Sequence, residues 1–288
     1  MIGKAACRGA VTIVNAIACG KGAAFGITLE TDVHSDLVNG EGPILVDGAE
    51  EGEELVGGCV RTVMDNAGCD LVHGKVTVRS DIPISRGLKS SSATTNAVVL
   101  SASRALGAEL TDEDILNIAI DESIKAGVTV TGAFDDAAAC FYGDMVVTDN
   151  AKRTILKVDK IDEGLEVVIH VPKRRISKAD VSIEMFANHR SQFEEALRLA
   201  LKGEYAAAMD LNSRLCSDVL DISNEIAETA KAKGAHAAGI TGTGPATVVL
   251  CDRDRVQDMI DAFGEGDAEI LRARLNHTCS REVVPRLL

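Results

Sequence analysis

Residues 80–96, Ser80-Asp-Ile-Pro-Ile-Ser-Arg-Gly-Leu-Lys-Ser-Ser-Ser-Ala-Thr-Thr-Asn96, constrain this chain more than any other stretch. A strand runs in from Val76-Thr-Val78 and turns at Pro83, and three consecutive serines open an Ala- and Leu-rich segment that predicts a helix. Strand, glycine-bearing loop, hydroxyl cluster and helix start together make an anion cradle. The first N–H groups of a helix lack intrahelical partners and carry the positive end of the peptide dipoles. Gly87 lets the backbone approach a phosphate with no Cβ in the way. Ser90, Ser91 and Ser92 can cap the helix, bond phosphate oxygens or place a hydroxyl on Mg2+, and Lys89 adds a positive charge. An ordinary capped helix needs one serine, not three behind Arg-Gly-Leu-Lys. The spacing is neither the G-x-x-x-x-G-K-[ST] of a P-loop nor the G-x-G-x-x-G of a dinucleotide fold.

A chain of 288 residues suits one large domain or two smaller ones. Hydrophobic residues make up 46% of it but aromatics only 3%, so the core must be built from Ala, Val, Ile and Leu. A formal charge of −14 argues against a nucleic-acid partner, yet leaves room for a nucleotide in a local basic pocket. The eight cysteines include no C-x-x-C pair, which favours reduced, buried thiols over disulfides or a zinc site. No apolar run approaches the roughly 20 residues of a membrane span and no signal pattern opens the chain, so a cytoplasmic protein without a membrane partner is expected.

Strands are predicted at 10–14, 27–29, 44–46 and 76–82, with helices over 50–67, 92–106 and 111–125. After a strand at 145–148, the polar break Asp149-Asn-Ala-Lys-Arg153 marks a domain boundary, dividing 1–152 from 153–288. A strand at 165–171 and a basic turn, Pro172-Lys-Arg-Arg175, follow. Helical periodicity then runs over 188–233 with breaks near Gly203 and 217–222. Strands at 236–240 and 246–251 are joined by Thr241-Gly-Thr-Gly-Pro245, and a helix covers 256–263.

Two further stretches carry chemistry. Asp135 and Asp136 stand side by side in an otherwise small and apolar run, Gly127 to Gly143. Carboxylates in such company are rarely buried without a partner or a task, so the pair reads as a base or a metal ligand, with a helix N-cap as the plain explanation for one of them. The Thr241–Pro245 loop offers hydroxyls and backbone N–H groups, although a hairpin connection alone would also use such residues. Lys21, between Gly20 and Gly22, is either a ligand-facing ammonium or a solvated turn lysine.

In this order the loops resemble the GHMP kinase superfamily, whose central motif is P-x-x-x-G-L-G-S-S-A. Here it reads Pro83-Ile-Ser-Arg-Gly-Leu-Lys-Ser-Ser-Ser-Ala93, with Lys89 where most relatives have Gly. The form G-L-K-S-S-S, together with residues 12–26 and Thr131-Gly-Ala-Phe-Asp-Asp-Ala137, is similar to the archaeal shikimate kinase branch. Gly239-Ile-Thr-Gly-Thr-Gly-Pro-Ala246 matches the third family motif.

The resemblance implies an α+β fold of two domains. The first would be like the second domain of ribosomal protein S5 and the second ferredoxin-like, with ATP and substrate meeting between them. It implies ATP held by Pro83, Arg86, Gly87, Leu88, Lys89, Ser90, Ser91, Ser92 and Ala93, and Mg2+ held by Ser91 and Glu122. Asp135 would be the catalytic base, kept ionised by a nearby cation, with Asp136 as fallback and Lys4 or Arg8 as assistant. Gly242, Thr243 and Gly244 would close over substrate and phosphoryl group. The implied acceptor is shikimate, whose carboxylate calls for a cation such as Lys21, Arg86 or Arg174. Homoserine or mevalonate kinase, and a non-catalytic ligand-binding regulator, are the competing readings.

Overall fold

The computed structural model describes residues 1–286 except 51, 70, 130–131, 177–180 and 265. The first half is built on two strands longer than their composition suggests, β1 (Ile2–Val14) and β2 (Lys21–Asn39). They pair antiparallel from Ile2 opposite Asp36 to Val14 opposite Ala23. Ala and Gly carry weak strand propensity, so the periodicity of 5–10 and 22–26 hides these strands. Burial decides instead, because Ala5, Cys7, Ala10, Ala23 and Ala24 are all sealed in the core. At Gly3 even one Cβ would run into the backbone of Ser101, so small residues let a helix lie directly on the strand.

The other elements extend that platform. β3 (Ile44–Asp47) runs parallel to β4 (Val72–Ser80), with α1 (Glu53–Asn66) as the crossover. α2 (Ser90–Leu106), α3 (Asp112–Lys125) and α4 (Phe134–Tyr142) precede the hairpin of β5 (Met145–Asp149) and β6 (Thr154–Asp159). A reciprocal capping box between Thr111 and Asp114 starts α3 where the sequence signals it. The sheet order is β3-β4-β2-β5-β6, with β1 on the free edge of β2. Residues 149–153 therefore form the turn of a hairpin inside the first sheet. The change of sheet comes after Asp159, beyond the break expected at 152, because β6 pairs with β5.

The second half comprises β7 (Leu165–Val171), α5 (Ile183–Phe186), α6 (Arg190–Lys202), α7 (Tyr205–Leu220) and α8 (Glu225–Ala232), then β8 (Ala237–Ile240), β9 (Thr247–Asp252), α9 (Val256–Ala262) and β10 (Glu269–Arg274). Its sheet is antiparallel in the order β10-β7-β9-β8, which is the expected ferredoxin-like arrangement. One apolar cluster runs through both halves, joining Val11 and Ile13 to Met209, Val248 and Val167. All eight cysteines are free thiols. Among the described residues no helix is long and apolar enough to cross a membrane.

Candidate active site

The loop after β4 reverses through three left-handed residues, Ser85 (φ 57°), Gly87 (φ 84°) and Lys89 (φ 67°). Lys89 precedes the 17-residue helix α2 and makes no side-chain cap to it. Gly87 is required for a reason the sequence did not disclose. A Cβ there would collide with the backbone carbonyl of Thr241, so the glycine lets the 241–245 loop dock.

That docking is extensively bonded. Thr241 Oγ1 donates to the Gly87 carbonyl (2.8 Å), and the Ala246 N–H donates to Arg86 O (3.2 Å). Thr241 Oγ1 accepts from the Thr12 N–H (3.0 Å), while Thr12 Oγ1 accepts from the Gly242 N–H (2.9 Å). Asn15 Nδ2 donates to Gly242 O (3.1 Å). The strand end of β1 and the two loops are thereby tied into one wall.

This wall borders a cleft of about 600 Å³. Pro83, Gly87, Leu88, Lys89, Ser90 and Ser91 line it, as do Gly242 and Thr243. Asn15, Ala16 and Ile17 add a second side, Glu50, Gly127–Thr129 and Arg175–Ile176 further parts, with Asp135 and Asp136 in its buried lining. The serine loop and the acidic pair, some 45 positions apart in sequence, thus share a single cavity.

Several expected residues lie elsewhere. Ala93 is fully buried in α2, and Ser92 faces a narrow gap against α3 with Thr95 and Ser123. Arg86 turns away, its guanidinium donating to the Lys173 carbonyl (2.8 Å). Gly244 is outside the lining because it packs against Ile222 and Ile240. Lys21 sits 3.9 Å from Asp149, and Arg174 donates to the Asp221 carbonyl. Of the basic turn, the residue that reaches the cleft is Arg175. Lys4 and Arg8 do not line it either, for Arg8 is held by Glu30 (3.2 Å) and Asn276 (2.6 Å).

Glu122 is the largest departure. It is buried, but its Oε1 accepts from Thr62 Oγ1 (2.8 Å) and pairs with Lys125 (2.6 Å), while Oε2 lies against Gly58 of α1. The helical phase of α3 turns this carboxylate to its neighbour α1, not to the cavity. Among the described residues no group of three or more His, Cys, Asp or Glu could hold a metal. Ser91, the other residue expected at the metal, lies on the cleft wall beside the buried carboxylates Asp135 and Asp136.

The acidic pair occupies the first turn of α4, after Ala133 in a left-handed conformation. Lys89 Nζ bonds Asp136 Oδ1 at 2.8 Å, and both side chains are largely buried. Burial disfavours the ammonium, but Asp136 and then Asp135 more than offset it and hold the Lys89 pKa above its usual value. Asp135 is different. Burial, reinforced by Asp136, pushes its carboxyl up to about 7 against the pull of Lys89 and a hydrogen bond from Asn150. The expected cation is present but engages the neighbouring carboxylate, so desolvation dominates at Asp135.

Asn150 is the residue that sequence reasoning missed. Its Nδ2 donates to Asp135 Oδ1 (2.7 Å) and its Oδ1 accepts from the Asp135 N–H (3.1 Å). The only signal was a polar residue directly after a buried strand, which also describes any surface turn.

The model of the GHMP kinase N-terminal domain matches residues 54–144, and that of the GHMP kinase C-terminal domain residues 194–269. A protein of Methanothrix thermoacetophila named shikimate kinase is 40% identical over 283 residues, covering 98% of this chain and 96% of its own. Proteins of the same name from Methanothermobacter thermautotrophicus and Pyrococcus furiosus are each 37% identical, over 95% and 89% of this chain and 95% and 94% of theirs. Among solved structures, Lactococcus lactis galactokinase complexed with galactose superposes with a TM-score of 0.75 at 14% identity, covering 96% of this chain and 94% of that one. L. major mevalonate kinase in complex with R-mevalonate gives 0.72 at 19%, covering 96% and 97%. These structures share the fold. The chain belongs to the GHMP kinase family and is an ATP-dependent small-molecule kinase.

Proposed function

We propose that the cleft phosphorylates shikimate, giving shikimate 3-phosphate and ADP in the chorismate and aromatic amino acid pathway. The observation that carries this reading is the shared cavity of the serine loop and Asp135, in a chain 40% identical over nearly its whole length to a relative of that name. ATP supplies the phosphoryl group, and Mg2+, held on the protein side by the Ser91 hydroxyl, would offset phosphate charge. The acceptor oxygen forms its bond to the γ-phosphorus as the bond to the leaving ADP breaks, and the hydroxyl proton passes to ionised Asp135.

Each residue contributes a defined part. The start of α2 and the loop 87–91 before it bind phosphate oxygens, and Gly242 and Thr243 border the transferred group. Lys89 is the cation next to the reacting atoms, in the role first expected of Lys4 or Arg8. Arg175, with a fixed guanidinium charge at the cleft, suits the acceptor's carboxylate. A cytoplasmic site of action fits eight unpaired cysteines.

The test is ADP release measured with shikimate, homoserine and mevalonate as acceptors. Turnover is expected with shikimate at least a hundredfold above the others in kcat/KM. Preference for another acceptor would replace the substrate, and nucleotide binding without turnover on any would favour a non-catalytic regulator.

A further inference from the structure

We propose that Asn150 is a positioning residue for the phosphoryl transfer, holding the Asp135 carboxylate in the rotamer that faces the acceptor and favouring its ionised form. This rests on the reading of Asp135 as the base. Asn150 follows β5 immediately and is buried, with its own N–H anchored on the Gly20 carbonyl (2.9 Å). Thr148 and Asn150, two positions apart, project to the same face of the sheet, towards the first turn of α4.

Polarity fixes the orientation of the amide. The Asp135 backbone N–H can only donate, so the amide oxygen must face it; the NH2 is then left for the carboxylate. Thr148 Oγ1 lies 2.8 Å from that same amide oxygen and donates to it, although a hydroxyl would accept from a flipped NH2 equally well, so it is the Asp135 N–H that fixes the orientation. Across the sheet, Gly22 is the partner of Thr148. A Cβ at Gly22 would collide with Asp135 Oδ2, so β2 supplies an empty slot for one carboxylate oxygen while Asn150 grips the other.

The charged groups around Asp135 are Asp136 on its own helix and Lys89 at the start of α2. Cys140 on α4 carries a buried thiol with a pKa held far above normal, so it stays neutral. On the sheet side Thr148, Asn150 and Gly22 carry no charge, and Asp149 is engaged with Lys21 and the Lys152 N–H. Asn150 is thus a neutral side-chain donor that, with the Asp136 backbone N–H, favours the carboxylate over the acid.

The test is the pH profile of kcat/KM for the full-length enzyme carrying Asn150→Ala, Asn150→Asp, Thr148→Val or Asp135→Asn. Asn150→Ala should lower kcat by about tenfold or more with KM for ATP changed less than about twofold, and move the acid limb up by about one pH unit. Asn150→Asp, which brings a third carboxylate, should move it further. Thr148→Val should shift it in the same direction by less, and this variant decides the matter if the Asn150 variants do not fold. An acid limb unmoved in folded variants, with Asp135→Asn inactive, overturns the positioning role alone. Normal turnover by Asp135→Asn overturns both this role and the base it serves.

Discussion

Replacing Asp135 by Asn should make the protein more stable and less active at once. The carboxyl is buried and pushed from 3.8 up to about 7. Below pH 4 the folded and unfolded chains both hold this proton, and the residue contributes nothing to pH dependence. Between about 4 and 7 the unfolded chain has released the proton and the folded one keeps it, so stability falls as pH rises. Above 7 the folded chain carries a desolvated charge at a constant cost. A difference of about 3 pH units corresponds to at most about 4 kcal/mol at 1.36 kcal/mol per unit. Asn removes this cost while its side-chain oxygen still accepts from Asn150 Nδ2, and the Lys89–Asp136 pair is untouched. For a chain of this size the gain corresponds to a melting temperature higher by about 4–8 °C at pH 8. Thermal melts of the ligand-free wild type and variant from pH 4 to 8.5, with ADP release in parallel, provide the assay. The stability difference should be near zero at pH 4 and grow to a plateau past pH 7, while turnover drops by about a thousandfold or more. A pH-independent difference, or a variant less stable at pH 8, would refute the burial argument.

Three more substitutions probe the site. Lys89→Met leaves Asp135 and Asp136 buried with no counter-charge, so it should cost about 3–5 kcal/mol in urea unfolding at pH 8, less at pH 5, and abolish turnover. Equal destabilisation at both pH values would contradict this account. Gly87→Ala forces a collision with the Thr241 backbone at a left-handed position, so unfolding free energy should fall by about 1–3 kcal/mol and KM for ATP should rise. An unchanged KM would mean the two loops need not dock to bind nucleotide. Ser91→Ala should raise the Mg2+ concentration for half-maximal rate severalfold while leaving the melting temperature of the ligand-free protein within about 2 °C; identical metal dependence would remove Ser91 from the metal's surroundings.

Much of the site was legible because it is local. The loop 83–91 announces itself through residues whose backbone roles are read from near neighbours: a proline turn, a left-handed glycine, hydroxyls at a helix start. Asp135 and Asp136 stood out because carboxylates amid Ala, Phe and Cys require an explanation. Glu122 illustrates the opposite case. Its place on a helix was predicted correctly, but a rotation of α3 about its axis decides whether it meets Mg2+ or Thr62, and that rotation is set by packing against α1. Gly87 has a second contact that the local sequence does not announce, since Thr241, which bonds its carbonyl, lies 154 residues away.

What the amino-acid order determined by itself was the inventory: a phosphate-type loop, a buried acidic pair, a glycine-rich third loop and a core of small aliphatic residues. Tertiary structure alone decided the pairings. It gave Lys89 to Asp136, made Asn150 the partner of Asp135, sent Arg8 to Glu30, and joined β6 to the first sheet. The physical reason is that turn and cap preferences act within a few residues. Ion pairs and hydrogen bonds between distant segments are chosen by which surfaces the long, Ala- and Gly-rich strands allow to come together.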